Sequence, residues 1–143
     1  MKHLSKNIFQ EKNILIYGMG KTGFSSYSYL KKNNQISLYD DNKKIFIKKN
    51  LKKFFLKKNN INKKTFDYIV VSPGININKC DLQNYLKKNL KKIITDLDIF
   101  YSNHKKNKII TITGTNGKST TAKLLNLILR NHKKDSRLCG NIG

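Results

Sequence analysis

Three features of the sequence predict an α/β protein with a parallel sheet. Short apolar runs alternate with segments of helical periodicity. The first run, Asn13–Tyr17, ends in the glycine pattern GMGKTG at residues 18–23. A second strand-glycine-helix pattern, KIITITGTNGKSTT, begins at Lys108. We therefore expect a Rossmann-like parallel sheet domain over residues 1–104. We expect residues 105–143 to be the truncated start of a P-loop-type α/β ATPase domain.

The first glycine pattern predicts a nucleotide diphosphate site. Its glycines permit a tight turn, let a diphosphate approach the backbone, and precede a helix expected at about residues 21–32. A second strand at residues 36–39 ends in Asp40, where a carboxylate can accept hydrogen bonds from a ribose or a base. A tight turn without a ligand is the alternative.

The middle of the chain supplies the remaining elements of the first domain. Residues 41–64 predict one or two amphipathic helical pieces, with Ile45 and Ile47 among their apolar positions. A third strand over residues 66–72 runs into Ser72-Pro73-Gly74, which can expose amides at the carboxyl edge of the sheet. We expect a short helix at 81–88, a strand at 91–95 and a helix at 96–101. The aspartates of that last helix favour capping over metal binding or acid/base chemistry.

The second glycine pattern predicts a phosphate-binding loop. We expect a strand at residues 109–113, a turn at Gly114 and a helix that opens at Gly117-Lys118-Ser119. Lys118 would reach the β- and γ-phosphates of ATP, and the Ser119 hydroxyl would bind Mg²⁺. The loop is shorter than the general G-x-x-x-x-G-K-[ST] pattern, because Ile112 occupies the position of its first glycine. An ordinary strand-to-helix turn is the alternative.

The strongly positive net charge of the chain suggests a nucleic acid as a candidate partner. The net charge is +22, yet only Arg130 and Arg137 among the 30 basic residues are arginines, on which base readout relies heavily. Lysines run from Lys2 to Lys134 without a single basic patch, together with abundant asparagine and isoleucine. We interpret this as a genome-wide codon bias. We expect no specific nucleic-acid partner, only attraction to polyanions at low salt.

The cysteines and the hydropathy bear on the compartment. Cys80 and Cys139 form no C-x-x-C pair, which favours a reducing environment. No apolar segment of the sequence approaches the length of a membrane-spanning helix, and the N-terminus carries no continuous apolar stretch. We expect a cytoplasmic monomer that does not insert into membranes. The isolated histidines His3, His104 and His132 receive no role.

The motif TGTNGKST resembles that of the Mur ligase family, the ATP-dependent amide ligases of cell-wall precursor synthesis. GMGKTG, Asp40, SPGI, DLDIF and a final GNIG occur in the order typical of the D-glutamate-adding branch of that family. The resemblance covers essentially the whole chain. It implies three domains, of which the first is whole here, the second begins near Lys105 and is truncated, and the third is absent.

The resemblance implies that ATP phosphorylates the L-alanine carboxylate of UDP-N-acetylmuramoyl-L-alanine and that D-glutamate attacks the acyl phosphate. ATP and Mg²⁺ are then required, with Lys118 catalytic and Ser119 the Mg²⁺ ligand. The implied ATP-binding residues are Gly114, Thr115, Asn116, Gly117, Lys118, Ser119 and Thr120. The implied UDP-substrate residues are Gly18, Met19, Gly20, Lys21, Thr22, Gly23, Asp40, Asp41, Ser72, Pro73, Gly74 and Asn141.

The chain departs from the family pattern at several positions. Asn42 stands where the family often has a basic residue, and Thr95 and Asp98 replace a glycine and a glutamate. The family's remaining Mg²⁺ and amino-acid ligands have no counterpart before Gly143, so we expect the chain alone not to catalyse ligation. Two alternatives are an NAD-type oxidoreductase or other nucleotide-binding module, and a basic nucleic-acid-binding protein.

Overall fold

The computed structural model describes residues 8–42 and 51–140. They fall into two compact units, one within residues 1–105 and one within residues 106–143. His3, Asn141 and the predicted apolar positions Ile45 and Ile47 lie outside the described residues.

The first unit is built on a four-stranded parallel sheet, which confirms the predicted fold class. The spatial order is β2-β1-β3-β4, so β1 lies between β2 and β3. These strands are the apolar runs of the sequence, although the third and fourth are shorter than predicted. The strands are β1 (Asn13–Tyr17), β2 (Gln35–Tyr39), β3 (Tyr68–Val71) and β4 (Ile93–Ile94).

Helices follow or precede each strand of the first unit. They are α1 (Lys21–Leu30), α2 (Lys58–Ile61), α3 (Gln83–Lys88) and α4 (Asp96–Asn103), with short 3₁₀ turns at Lys52–Phe54 and Leu90–Lys92. The predicted capping of α4 is confirmed. Thr95 Oγ1 accepts the Asp98 N–H, and the Asp98 carboxylate accepts the Thr95 N–H at 2.7 Å, so the two residues form a capping box.

The sheet is covered on both faces, because alternate residues of each strand point to opposite sides. Ile14 and Ile16 pack on one face, in a cluster that includes Tyr27 and Leu30 of α1 and Ile99 of α4. On the other face pack the buried residues Leu15, Tyr17, Tyr39, Ile61, Phe66, Ile69, Val71, Leu82 and Leu86. The fold is thus a three-layer α/β/α arrangement.

The strand order sets where a ligand can bind. The chain leaves β1 towards β2 on one side, while β3 pairs with β1 on the other side. Loops that leave neighbouring strands in opposite directions open a crevice at the carboxyl edge of a parallel sheet. In this sheet the rule points to the loops that follow β1 and β3 as the place where a ligand would bind.

The described part of the second unit consists of the glycine loop with the residues before it, α5 (Lys118–Asn131) and a segment after it without regular secondary structure. The prediction of a strand at residues 109–113 is wrong, since these residues form no strand and Ile109 and Ile110 are exposed. A strand requires hydrogen bonds from a neighbouring strand, and none of the described residues in this unit forms one. The helix and its glycine turn need only local bonds, and both are present.

Candidate functional site

The loops after β1 and β3 are locked together by close packing. Ser72 Oγ donates a hydrogen bond of 2.6 Å to the Gly18 carbonyl oxygen. Gly18 has a φ of +90°, and a Cβ there would lie 2.9 Å from the Ser72 Cβ. A Cβ on Gly23 would overlap the same Gly18 carbonyl oxygen. The glycines at positions 18 and 23 therefore allow the turn and bring the start of α1 against the end of β1.

Asp40, the residue after β2, holds the turn after β1 in place through a hydrogen bond. Its Oδ2 accepts the Met19 N–H at 2.6 Å and its Oδ1 accepts the Asn42 N–H at 2.8 Å. Asp40 is only 8% exposed, and the Met19 side chain is 2% exposed. The structure thus assigns Asp40 a role in holding the backbone of two loops, and it places the Met19 side chain in the core.

The first turn of α1 begins in open space at this edge. Gly20 is the N-cap residue, and no side chain among the described residues caps it. A Cβ at Gly20 would meet no atom within 4 Å, so the space in front of the helix is open. Lys21 is exposed and Thr22 is half-buried. Backbone N–H groups at a helix start and the positive end of its dipole favour an anion in this space.

Two tyrosines that the sequence did not single out contribute to the same edge. Tyr17 and Tyr39 are register partners at the last residues of β1 and β2, with ring centroids 5.4 Å apart. The Tyr17 hydroxyl donates to Asp41 Oδ1 at 2.6 Å, and the Tyr39 hydroxyl donates to Asp81 Oδ2 at 3.0 Å. Burial, followed by these hydrogen bonds, raises the pKa of both tyrosines above the usual value.

The tyrosines fix the carboxylate of Asp41, a predicted substrate residue, and that of Asp81, which was not predicted. The signal available in the sequence was a tyrosine as the last residue of each of two strands, with Asp41 only two positions after Tyr39. Apolar periodicity alone classified both tyrosines as core.

The turn after β3 presents Pro73 and Gly74 to solvent. The Ile75 N–H donates to the Ser72 carbonyl at 3.0 Å, which closes this turn. A Cβ at Gly74 would meet nothing within 4 Å. The predicted residues 18–23, Asp40 and Ser72 are thus brought together at one edge, with Pro73 and Gly74 exposed beside them.

The second glycine loop, described by itself, forms the predicted turn into a helix. Gly117 adopts a left-handed conformation, with φ of +73°, as the N-cap of α5. The Lys118 ammonium donates to the carbonyl oxygens of Gly114 and Thr115, so it lies over its own loop. Ser119 is half-buried in the first turn of α5, while Thr115, Asn116 and Thr120 are exposed.

Comparison with known proteins decides the family. The family model described as Mur ligase MurD-like, N-terminal domain, matches residues 12–94, more than half of the chain. The chain belongs to this family. The match begins one residue before β1 and ends with the last residue of β4, so it covers the whole sheet.

Curated relatives extend the similarity beyond the first unit. A UDP-N-acetylmuramoylalanine--D-glutamate ligase of Rickettsia prowazekii is 36% identical over 96% of this chain and 31% of its own length. Proteins of the same name from Francisella philomiragia and Buchnera aphidicola are each 39% identical, over 91% and 98% of this chain. The chain spans about a third of the length of these relatives. No solved structure matched the chain.

Membrane spans and metal clusters are absent from the described residues. No helix in that part of the chain is long and apolar enough to span a membrane. Within residues 8–42 and 51–140, no three His, Cys, Asp or Glu side chains are grouped so that they could hold a metal ion. The Ser119 hydroxyl, a ligand of a different type, stays the predicted Mg²⁺ ligand.

Proposed function

We propose that this chain binds the UDP portion of UDP-N-acetylmuramoyl-L-alanine at the carboxyl edge of its sheet. We further propose that it belongs to a ligase that adds D-glutamate to this substrate with ATP. The observation that carries the proposal is the open, uncapped start of α1 at Gly20, next to the turn that Ser72 holds at Gly18. It occurs in a chain that ligases of this name match over nearly its whole length.

In this proposal the diphosphate lies in front of α1. The backbone N–H groups of Gly20, Lys21 and Thr22 donate to its oxygens, and the Lys21 ammonium lies nearby in solvent. Asp40 positions the turn through the Met19 N–H, while Asp41, Pro73 and Gly74 border the nucleoside. Gly18 and Gly23 act by keeping the backbone close enough for this geometry. Asn141 is assigned to the sugar diphosphate on the resemblance alone.

We assign residues 105–143 to ATP binding. The residues present suit a phosphate, because Gly117 opens α5 in the left-handed conformation and no side chain in the described range caps that helix. Lys118 now donates to two loop carbonyls and can transfer those hydrogen bonds to phosphate oxygens. Ser119, in the first turn of α5, would hold Mg²⁺, which supplies charge neutralisation at the phosphates.

The reaction proposed for the whole ligase has two steps. The alanine carboxylate takes the terminal phosphoryl group of ATP, and ADP leaves. The amine of D-glutamate then attacks the acyl phosphate, and phosphate leaves as the amide forms. The first unit serves this reaction by holding the UDP end of the substrate. We also propose a cytoplasmic location, in line with the free thiols of Cys80 and Cys139.

A charge placed at Gly20 tests the substrate site without disturbing the fold. Gly20→Asp supplies a good N-cap in open space, so the helix is expected to keep its stability. Its carboxylate would occupy the first N–H groups and repel a diphosphate. UDP-N-acetylmuramoyl-L-alanine at about 100 times its dissociation constant should stabilise the wild-type chain by roughly 2.7 kcal/mol. We expect Gly20→Asp to abolish this thermal shift.

Gly20→Ala is the matched control, because it fills the same space without a charge and should keep most of the shift. NADH serves as the comparator ligand. A shift with NADH alone would overturn the substrate assignment in favour of a dinucleotide-binding module. A shift that survives Gly20→Asp would place the ligand away from α1.

A further inference from the structure

The amino edge of the sheet, opposite the proposed ligand edge, gathers the segments that precede the four strands. The Glu11 N–H donates to the Asn33 carbonyl at 2.8 Å, and Asn13 Nδ2 donates to the Thr65 carbonyl at 2.8 Å. Lys92 Nζ donates to the Phe66 carbonyl at 2.9 Å. These bonds join the starts of β1 to β4 along one edge, a row about 15 Å long at the usual strand spacing.

Each helix-to-strand connection at this edge carries adjacent lysines, either in the connection itself or at the end of the helix before it. The pairs lie at positions 31–32, 63–64, 87–88 and 91–92, and all of these lysines except Lys92 are exposed. The acidic residues of the edge are Glu11 and Asp67. None of these lysines forms an ion pair with a carboxylate within the described part of the chain, where Arg137 pairs with Asp135.

The opposite edge carries most of the acidic side chains. Five of the eight acidic residues follow the carboxyl ends of strands, namely Asp40, Asp41, Asp81, Asp96 and Asp98. The sequence shows lysines spread along the chain, and the fold brings these four pairs together at the amino edge, whereas Lys21 lies at the carboxyl edge. Codon bias explains how many lysines there are, and helix dipoles favour lysine at helix ends. Neither offsets the mutual repulsion of a row of ammonium groups that have no carboxylate partner among the described residues, and an anionic partner would relieve this repulsion.

Exposed aliphatic side chains lie among these lysines. Leu90 is 59% exposed at the centre of the segment KKNLKK, and Ile8, just before β1, is 47% exposed. A nucleic acid is held by charge, hydrogen bonds and aromatic stacking, so it gives a leucine little to bind. A lipid surface offers both anionic headgroups and an acyl region that takes aliphatic side chains.

We infer that the amino edge of the sheet docks on a membrane surface that bears anionic lipids. The lysine pairs lie against the headgroup phosphates, and Leu90 enters the boundary between headgroups and acyl chains. The carboxyl edge then faces away from the membrane, which leaves the start of α1 open to a dissolved ligand. This docking is peripheral and does not depend on the proposed ligase activity.

Sedimentation with vesicles tests the docking surface. The complete chain is mixed at low salt with vesicles of phosphatidylcholine, alone or with about one third phosphatidylglycerol. We expect binding only to the anionic vesicles. The triple variant Lys87→Gln/Lys88→Gln/Lys91→Gln should bind them roughly a hundredfold more weakly, since each lysine near an anionic surface contributes about fivefold. Lys92 is left in place because it bonds to Phe66.

The matched control is Lys57→Gln/Lys58→Gln/Lys79→Gln, which removes the same net charge from exposed positions of the same unit outside the helix-to-strand turns of the amino edge. It should bind almost as the wild type does. Equal loss in both triple variants would overturn the proposal, because general charge would then explain binding. Far-UV circular dichroism confirms that each variant is folded, and Lys31→Gln/Lys32→Gln/Lys63→Gln provides a second test on other turns of the edge.

The variant Leu90→Ala distinguishes a lipid surface from a nucleic acid as the partner of this edge. We expect at least about a tenfold loss of vesicle binding, because aliphatic carbons leave the acyl region. Leu97→Ala, at a residue 72% exposed on α4, should have little effect. If Leu90→Ala binds vesicles as the wild type does, and duplex DNA binds with the same dependence on Lys87, Lys88 and Lys91, the edge is a nucleic-acid surface and the proposal is wrong.

Discussion

The two glycine turns of this protein share a local pattern and differ in their surroundings. In the first, residues 18–23 connect β1, which is buried at every residue after Asn13, to α1. Ser72 and Asp40 hold this turn from neighbouring strands. In the second, Gly114 and Gly117 lead into α5, which has no buried residue. The contacts of that loop come from its own Lys118.

The difference shows which parts of such a motif form locally. A left-handed glycine and a helix start depend on the residues themselves and appear in both turns. The strand that precedes the turn depends on a partner strand, so it forms in the first unit and not at residues 109–113. The first turn should therefore be sensitive to changes in packing, whereas the second should tolerate substitution because it makes few contacts.

The largest expected effect is at Gly23. Gly23→Ala would force its methyl group into the Gly18 carbonyl, so α1 must move away from β1. We expect the free energy of unfolding to fall by about 3 kcal/mol or more. Urea unfolding followed by circular dichroism measures this. Gly20→Ala is the control, since its methyl group meets nothing within 4 Å and its stability should change little. Equal effects at both positions would contradict the described packing.

Alkaline pH should destabilise the first unit selectively, because all seven tyrosines lie there. Burial, followed by the hydrogen bond to Asp41, holds the pKa of Tyr17 above the value of about 10 in an unfolded chain. In the folded state the Tyr17 hydroxyl therefore keeps its proton to a higher pH than in the unfolded chain. The resulting stability is complete below about pH 10 and falls by up to about 1.4 kcal/mol per pH unit above it.

Urea unfolding at about pH 9, 10 and 11 checks this dependence. Tyr17→Phe removes the titrating group, so its stability should fall less steeply across the upper part of that range than that of the wild type. Tyr101→Phe, at a residue 56% exposed, should follow the wild type. An unchanged slope in Tyr17→Phe would show that the buried hydroxyl does not control the alkaline transition.

The smallest effect on stability is expected at Lys118. Its hydrogen bonds to the loop are exposed, so Lys118→Met should change the free energy of unfolding by less than about 0.5 kcal/mol. The same substitution should remove binding of inorganic tripolyphosphate, measured by titration calorimetry. Lys123→Met, exposed on the same helix, should leave binding intact. A wild-type chain that binds no tripolyphosphate would contradict the phosphate assignment of this loop.

Much of the first unit could be predicted because its signals are local. Apolar runs bounded by turn residues predicted β1 to β4 at nearly their observed positions, and the sequence around Asp98 predicted the cap of α4. The resemblance of the motifs predicted the family that the match over residues 12–94 shows. Strand ends were less accurate, since they depend on where the neighbouring strand stops.

The sequence by itself determined the turns, the helices and the order of the apolar strands, because backbone conformation and apolar periodicity are properties of short segments. The tertiary structure decided how those segments meet. It placed the Asp40 carboxylate on the Met19 N–H, joined Tyr17 to Asp41, and gathered separate lysine pairs at one edge. These contacts join residues that are distant in the chain, so they exist only once β2, β1, β3 and β4 lie side by side.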